Sequence, residues 1–252
     1  MGNSLPHDHI LPHNESPLGK KEQVAEMFNC IAARYDFMNR FLSAGIDRGW
    51  RKKAIKKLKK DDPKQILDVA CGTGDMALIA CKLLNPEKIV GIDISEQMLL
   101  VGKEKVEKEG FNSIVDLHKG DSETINYSNN TFDAITVAFG VRNFENLESG
   151  LREIHRVLKP GSQLVVLEFS RPKNSVIRKL YSLYMGVVAP EMAKWFSNNK
   201  KAYQYLNDSA KVFPDREHFV DILNSIGFCD TECKPLSLGI CCIYCGRKPG
   251  SR

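Results

Sequence analysis

The stretch that decides the fold is Ile66-Leu67-Asp68-Val69-Ala70-Cys71-Gly72-Thr73-Gly74-Asp75. An apolar run leads into a Gly-x-Gly turn, and Met76–Ala80 then continues as a segment that favours a helix. This order is typical of a buried parallel strand that feeds a helix. Glycines in the turn let a ligand approach the backbone closely at the helix N-terminus. On its own, the turn is equally compatible with an ordinary strand–helix connection.

The next segment favours a ligand at this turn. Lys88–Asp93 is a second apolar run, and it ends on an acid 25 positions after Asp68. A carboxylate at the tip of the second strand accepts hydrogen bonds from ribose hydroxyls in dinucleotide-binding folds. Asp75 flanks the turn where a pyrophosphate would need bare backbone N–H groups. S-adenosylmethionine, which has an adenosine and a positive centre but no phosphate, therefore fits the pattern better than NAD.

Composition is that of a single globular domain. The chain has 252 residues, of which 42% are hydrophobic and 27% charged, and no run of 18 apolar residues occurs. The first residues lack the charged-then-apolar order of a signal peptide. We therefore expect a cytoplasmic protein without a membrane span.

The formal net charge of +5 is concentrated near the N-terminus. Residues 51–60 hold seven of the basic side chains, Arg51, Lys52, Lys53, Lys56, Lys57, Lys59 and Lys60. On a helix this spacing leaves Ala54, Ile55 and Leu58 to face inward, which favours a solvated amphipathic helix. Contact with anionic lipid headgroups and RNA binding are the alternatives, although aromatic residues for stacking on RNA are largely missing nearby.

Five of the eight cysteines lie between positions 229 and 245. Cys229-x3-Cys233 and Cys242-x2-Cys245 are compatible with a zinc site. The run Gly239–Cys245 also reads as a buried strand in which cysteine serves as a small hydrophobic residue. We favour the strand, with reduced thiols and no metal.

The order of predicted elements gives one α/β domain over residues 20–248, after a disordered tail over residues 1–19. Its predicted parts are a helical lid (20–60), a cofactor-binding half (64–169), a substrate-capping insertion (170–213) and the C-terminal part of the sheet (214–248). The predicted strands are 66–70, 88–93, 115–119, 132–138, 163–169, 230–236 and 240–247. Strands that alternate with helices imply a mostly parallel sheet covered on both faces.

Several stretches together resemble a known family. They are Arg34–Asn39, Leu67–Asp75, Phe139–Asn143, Arg156–Gly161 and Leu167–Pro172. With them, residues 20–248 resemble the class I S-adenosylmethionine-dependent methyltransferases, and more narrowly the family that C-methylates the quinol ring in menaquinone and ubiquinone biosynthesis. The resemblance implies a Rossmann-like, seven-stranded, mostly parallel sheet with an antiparallel last strand, and S-adenosylmethionine as the cofactor.

The resemblance and the strand ends give the expected cofactor-binding residues. They are Asp68, Gly72, Thr73, Gly74, Asp93, Ile94, Met98, Asp121, Ser122 and Ala138. Asp68 has two interpretations, an acid that caps the turn or a contact to the methionine ammonium. Ala138 stands where the family usually has a serine, so only a backbone contact is expected there.

Methylation of a quinol carbon requires a ring hydroxyl that loses its proton and a group that stabilises the resulting oxyanion. We expect Arg142 to stabilise the ring oxygen, Asn143 to hold that oxygen or a water, and Asp121 to accept the proton. Pairing of Arg142 with a local carboxylate such as Glu145 is the structural alternative. The expected substrate contacts are Tyr35, Met38, Phe139, Tyr184 and Tyr203. For Tyr35 and Met38 a place in the core is an equal alternative.

The predicted function is methylation of demethylmenaquinol to menaquinol. A polyprenyl benzoquinol, another small molecule or RNA are alternative methyl acceptors, and a cofactor-binding module without catalysis is a third class. We expect a polyprenylated quinol as partner, no nucleic acid, peripheral contact with the inner face of the cell membrane, and leave a homodimer open.

Overall fold

The computed structural model describes residues 6–13, 15–184 and 200–250. At its centre is a seven-stranded sheet of order β3-β2-β1-β4-β5-β7-β6. The strands are β1 Gln65–Val69, β2 Lys88–Asp93, β3 Val115–Lys119, β4 Phe132–Ala138, β5 Leu158–Phe169, β6 Cys229–Leu236 and β7 Cys241–Arg247. Strands β1 to β5 pair in parallel, and β7 runs antiparallel to both of its neighbours, β5 and β6. The predicted mostly parallel sheet with an antiparallel last strand is confirmed.

Helices cover both faces of this sheet. They are α1 Lys20–Leu42, α2 Ile46–Lys56, α3 Asp75–Leu83, α4 Glu96–Lys108, α5 Leu147–Val157, α6 Ser175–Leu183, α7 Lys200–Val212 and α8 Glu217–Ile226. Successive residues of a strand point to opposite faces, so Ile66 packs with α2, α3 and α4 whereas Leu67 packs with α5 and α8. Strands buried on both sides explain why the sequence shows continuous apolar runs.

The segments that follow β1 and β2 adopt the conformations that their local sequences favour. Gly72 and Gly74 adopt positive φ angles of 53° and 75°, a region that glycine enters without the steric cost of a Cβ atom. The predicted N-cap Ser95 is confirmed, because its hydroxyl accepts the backbone N–H of Met98 at 3.3 Å. These turns hold the carboxyl ends of β1 and β2 side by side.

Part of the predicted disordered tail lies against the helices. Pro6–His9 forms a short 3₁₀-helix, and the Lys20 ammonium donates to the His7 carbonyl at 2.9 Å. The backbone N–H of His13 donates to the side-chain oxygen of Gln23 at 2.9 Å, and the His7 ring packs edge-on against Phe213, directly after α7. Residues 6–13 thus have defined contacts with α1 and α7, which their composition did not indicate.

The predicted substrate-capping insertion is helical in its described parts, which are α6 and α7. The remainder of that insertion, residues 185–199, lies outside the described residues. None of the described helices combines the length and the apolar character needed to cross a bilayer.

The C-terminal cysteines lie in and around the last two strands. Cys241, Cys242 and Cys245 are buried in β7, as the strand interpretation predicts, and each is a free thiol. Within residues 6–13, 15–184 and 200–250, no group of three or more histidine, cysteine or acidic side chains is arranged to hold a metal ion.

Candidate functional site

A cavity of about 650 Å³, open to solvent, lies at the carboxyl ends of β1 to β4. Open α/β sheets bind their ligands at this edge. The predicted residues that line it are Tyr35, Gly72, Asp93, Ile94, Met98, Asp121, Ser122, Ala138, Phe139 and Asn143. Asp68, Thr73, Gly74, Met38, Arg142, Tyr184 and Tyr203 are predicted residues outside that lining.

Helix α1 supplies part of the lining that sequence analysis did not assign. Lys21, Val24, Phe28 and Tyr35 face the cavity from this helix. They lie three, four and seven residues apart, the helical period of a single face, and this spacing could have predicted them. The lid was expected over residues 20–60 and Tyr35 was named as a substrate contact, but Lys21, Val24 and Phe28 were not identified.

Asp93 is held rigidly at the tip of β2. One carboxylate oxygen accepts the backbone N–H of Gly72 and the other that of Ser95, each at 2.8 Å. Burial raises the pKa of this carboxyl, whereas the backbone donors of Ser95 and Gly72 work to lower it. Each carboxylate oxygen has a second lone pair, so Asp93 keeps acceptor capacity for hydroxyl groups in the cavity.

Asp68 carries an unused acceptor at the end of β1. The Thr136 hydroxyl donates to one of its oxygens at 2.7 Å, while the other is buried without a hydrogen-bond partner among the described residues. Burial raises the pKa of Asp68 to about 7, against the lowering effect of the Thr136 hydrogen bond and the Arg51 charge. An unsatisfied buried carboxylate oxygen is costly, and a nearby cation would satisfy it.

The hydroxyl of Thr73 is engaged by the lid instead of facing the cavity. It donates to Asp36 of α1 at 2.6 Å and accepts from the Lys105 ammonium at 3.0 Å. Lys105 also pairs with Asp36 at 2.6 Å and with Asp75. Burial works to raise the pKa of Asp75, but neighbouring cations, Lys105 first, hold it below the usual value. The expected cofactor contact of Thr73 stays a prediction, and the structure gives its side chain another role.

Three polar contacts attach α1 across the cavity, one at the end of each of β3, β2 and β1. They join Lys21 to Asp121 at 2.6 Å, Asn29 to the Ser95 hydroxyl at 2.8 Å, and Asp36 to the Thr73 hydroxyl at 2.6 Å. Their α1 members are eight and seven residues apart, about two helical turns each, and therefore lie on one face. We call these three contacts the α1 clasps.

The segment Phe139–Asn143 forms the turn after β4. Phe139 has a φ angle of 59°, and its carbonyl accepts from the side chains of Arg142 at 2.8 Å and Asn143 at 3.3 Å. A Cβ atom on Gly140 would lie 2.6 Å from the Cβ of Ala70, so only glycine fits there. Two side chains of the segment thus stabilise its own unusual backbone.

The same contacts fix how Asn143 faces the cavity. The carbonyl of Phe139 can only accept, so the amide nitrogen of Asn143 must point toward it. The amide oxygen is therefore directed elsewhere, and it is buried without a hydrogen-bond partner among the described residues. Asn143, which lines the cavity, thus keeps a buried and unpaired acceptor.

Arg142 lies beneath the cavity and not in its lining. Only 2% of it is exposed, and its guanidinium donates to Glu168 of β5 at 2.6 Å. Arg142 does pair with a carboxylate, as the structural alternative expects, but the partner is Glu168 and not the example Glu145, which lies 3.7 Å from the Lys21 ammonium. Arg142 and Asp121 are thus held by different ion pairs, Arg142 by β5 and Asp121 by α1.

The remaining expected substrate residues have separate positions. Tyr35 lines the cavity and packs edge-on against Phe28, and burial raises the pKa of its hydroxyl. Met38 is fully buried in the protein, whereas Tyr203 is partly buried on α7. The Tyr184 hydroxyl donates to the Leu42 carbonyl at 2.8 Å and so joins the end of α6 to the end of α1.

The site and the sheet order agree with what comparison with known proteins finds. The model of the ubiE/COQ5 methyltransferase family matches residues 18–248. The chain belongs to this family. The predicted enzyme class, a methyltransferase, is therefore confirmed.

Two relatives of similar sequence are named as methyltransferases of menaquinone or ubiquinone biosynthesis. A demethylmenaquinone methyltransferase from Bacteroides fragilis is 45% identical over 97% of this chain and 100% of its own length. A ubiquinone/menaquinone biosynthesis C-methyltransferase from Geotalea daltonii is 44% identical over 91% of this chain and 97% of its own.

Solved structures support the fold. A SAM-dependent methyltransferase from Thermotoga maritima superposes with a TM-score of 0.64 at 19% identity, covering 89% of this chain and 99% of that one. An S-adenosyl-L-methionine-dependent methyltransferase from Methanococcus maripaludis gives 0.59 at 18% identity, covering 95% and 99%. The Rossmann-like fold of S-adenosylmethionine-dependent methyltransferases is thereby confirmed.

Proposed function

We propose that this protein transfers a methyl group from S-adenosylmethionine to a ring carbon of demethylmenaquinol and so forms menaquinol. The observation that carries the proposal is the unpaired amide oxygen of Asn143, an acceptor for a ring hydroxyl in the cavity. The 45% identity to a protein named demethylmenaquinone methyltransferase supports the same substrate.

The cavity residues fit S-adenosylmethionine. The Asp93 carboxylate would accept from the ribose hydroxyls, and the unsatisfied oxygen of Asp68 would face the ammonium group. Ile94 and Met98 offer apolar surface to the adenine, with Asp121 and Ser122 as polar neighbours. When bound, this cofactor supplies an electrophilic methyl group on a sulfonium centre.

The residues around Asn143 would prepare the ring for attack. Its amide oxygen would accept from a ring hydroxyl and so orient the ring, and orientation is the larger part of the barrier in such a transfer. The buried positive charge of Arg142, next in the chain, would stabilise the oxygen as its proton leaves. The α1 clasps would hold this helix over one side of the cavity.

The proton of the ring hydroxyl needs an acceptor in the cavity. Asp121, the acceptor predicted from sequence, lines the cavity, but its carboxylate holds the Lys21 ammonium at 2.6 Å. A proton transferred to Asp121 would therefore have to displace or weaken this clasp, and its role stays a prediction.

We further infer that the protein meets its substrate at a membrane surface, where a polyprenyl chain would reside. Exposed apolar side chains surround the junction of α1 and α2: Ile46, Leu183 and Leu238 are 50%, 60% and 74% exposed. Exposed Arg48 and Lys52 on α2 would complement anionic headgroups. Sedimentation with liposomes tests this: binding only to anionic vesicles is expected, and no difference from neutral vesicles would contradict it.

A product assay tests the proposed reaction. Purified protein is incubated with S-adenosylmethionine labelled in the methyl group and, in separate reactions, with demethylmenaquinol and a demethylated polyprenyl benzoquinol. Label on a ring carbon of the naphthoquinol is expected. Label only on the benzoquinol would favour the second candidate function, methylation in ubiquinone biosynthesis, which the name of the Geotalea daltonii relative supports. No label on either quinol would reject both functions.

A further inference from the structure

A second polar cluster lies between β4 and β5, just below the cavity. Its centre is Glu168, the penultimate residue of β5, which is completely buried. One Glu168 oxygen accepts the Arg142 guanidinium at 2.6 Å and the backbone N–H of Phe169 at 2.8 Å. The Arg142 guanidinium also lies over the Phe169 ring, 5.4 Å from its centroid. Glu168 and its strand therefore set the position of Arg142.

Four polar atoms of this region have no hydrogen-bond partner among the described residues. They are the second oxygen of Glu168, the Nε of Arg142, the amide oxygen of Asn143 and the hydroxyl of Tyr205. Buried polar groups are nearly always paired, so this concentration is unusual. These atoms comprise two acceptors, one donor and one hydroxyl. Such a set indicates that a polar group of a ligand binds here, and the ring hydroxyl of a quinol is such a group.

A buried ion pair is a poor device for stability alone. The desolvation free energy of two buried charges commonly exceeds their electrostatic attraction. Well-packed apolar side chains would therefore hold β4 against β5 at least as well. The Arg142–Glu168 pair is therefore better explained by the chemistry above it than by packing.

We propose that Glu168 is a positioning residue for methyl transfer, which fixes the Arg142 guanidinium beside Asn143 and balances its charge until the ring hydroxyl loses its proton. This inference rests on the proposed function. In the resting protein the two charges cancel. Once the proton has left and a ring oxyanion forms, the buried Arg142 guanidinium, which shares the Phe139 carbonyl with Asn143, stabilises it.

The charged and titratable groups that face Glu168 come from four elements. Arg142 follows β4, Tyr181 and Tyr205 belong to α6 and α7, and Cys241 begins β7. Burial raises the pKa of Glu168, and the Arg142 charge opposes this. Of these groups only Arg142 is a cation, so removing the Glu168 charge leaves the site with an uncompensated positive charge.

Two variants separate charge from position. Glu168→Gln keeps the length of the side chain and removes its negative charge. Glu168→Asp keeps the negative charge, but the shorter side chain places it farther from the Arg142 guanidinium. We expect both to lower kcat by about 10²-fold, the cost of a misplaced functional group, with the KM for S-adenosylmethionine unchanged. Only Glu168→Gln should move the acidic limb of the kcat–pH profile to lower pH, because an uncompensated Arg142 favours the oxyanion. Wild-type kcat in either variant would overturn the proposal.

Arg142→Met and the double variant Arg142→Met/Glu168→Gln test whether Glu168 acts through Arg142. Arg142→Met should lower kcat by about 10²–10³-fold, and the double variant should lose no more than that. Multiplied losses would mean that Glu168 acts independently, which overturns the positioning role. The double variant also covers the case in which Glu168→Gln fails to fold, because it leaves no buried charge unpaired.

The surface pair Glu148–Arg152, 3.2 Å apart on α5, supplies the control Glu148→Gln, which should leave kcat unchanged. Absence of methyl transfer to the quinol by the wild-type protein would instead reject the proposed function, and so the two failures are distinguishable.

Discussion

Asp36→Asn should weaken cofactor binding although Asp36 does not line the cavity. This carboxylate accepts the Thr73 hydroxyl and the Lys105 ammonium, each at 2.6 Å, and so joins α1 to the turn after β1. Asparagine keeps an acceptor for Thr73 but loses the ion pair. A hydrogen bond to a charged group contributes about 1.5–3 kcal/mol, and Lys105 retains Asp75 as a second partner.

We therefore take the low end of that range, and expect closure of α1 to become less favourable by about 1–2 kcal/mol, which is a factor of roughly 5–30. A ligand covered by α1 binds the closed form better, so its dissociation constant should rise by the same factor.

Titration calorimetry with S-adenosylhomocysteine measures this constant, and stopped-flow displacement measures the dissociation rate, which should increase. Glu26→Gln is the matched control, because Glu26 is an exposed acid on the same helix. A dissociation constant within about twofold of the wild-type value, with correct folding by circular dichroism, would refute the reasoning that the α1 clasps close the cavity.

Three further outcomes follow from the site. Asp93→Asn should weaken cofactor binding by at least about tenfold in calorimetry, since hydroxyls lose a charged acceptor, and unchanged affinity would contradict the assignment. A cation beside Asp68, whose pKa burial raises to about 7, favours its ionised form; cofactor affinity should therefore rise, with proton release, from about pH 6 to 8. Asp68→Asn should remove that dependence, and its persistence would point to another group. Gly140→Ala, whose Cβ would lie 2.6 Å from that of Ala70, should cost about 1–3 kcal/mol of stability in thermal unfolding; an unchanged melting temperature would show that the turn relaxes freely.

The sheet could be predicted from sequence because its signals are local. Lys88–Asp93, Val115–Lys119 and Phe132–Ala138 agree with the predicted strands residue for residue. Each is an apolar run bounded by turn residues, and such runs depend little on the rest of the chain. The carboxylates at strand ends follow directly, since parallel strands bring their carboxyl ends to one edge.

The partners of the site residues could not be predicted in the same way. Arg142 pairs with Glu168, 26 positions away, and not with the nearby Glu145. This choice depends on β5 lying beside β4 with Leu167 opposite Ala138, which no local pattern specifies. Thr73 likewise meets Asp36 only because α1 crosses the sheet edge. Sequence proximity is a weak guide to the partner of a buried charge.

The contacts of the N-terminal tail could not be predicted for a related reason. Proline and histidine content favours disorder, but a composition argument ignores what the segment can pack against. Here His7 is buried beside Phe213, a residue more than 200 positions away that the sequence does not connect to it.

A crystal structure of the protein with bound S-adenosylmethionine tests the central claim most directly. That claim is that the carboxylates at the ends of β1 and β2 hold the methyl donor with its methyl group toward Asn143. We predict ribose hydroxyls on Asp93, the ammonium at Asp68 and the methyl group facing the Asn143 amide oxygen. A ligand seated elsewhere, or a methyl group directed away from Asn143, would contradict the account.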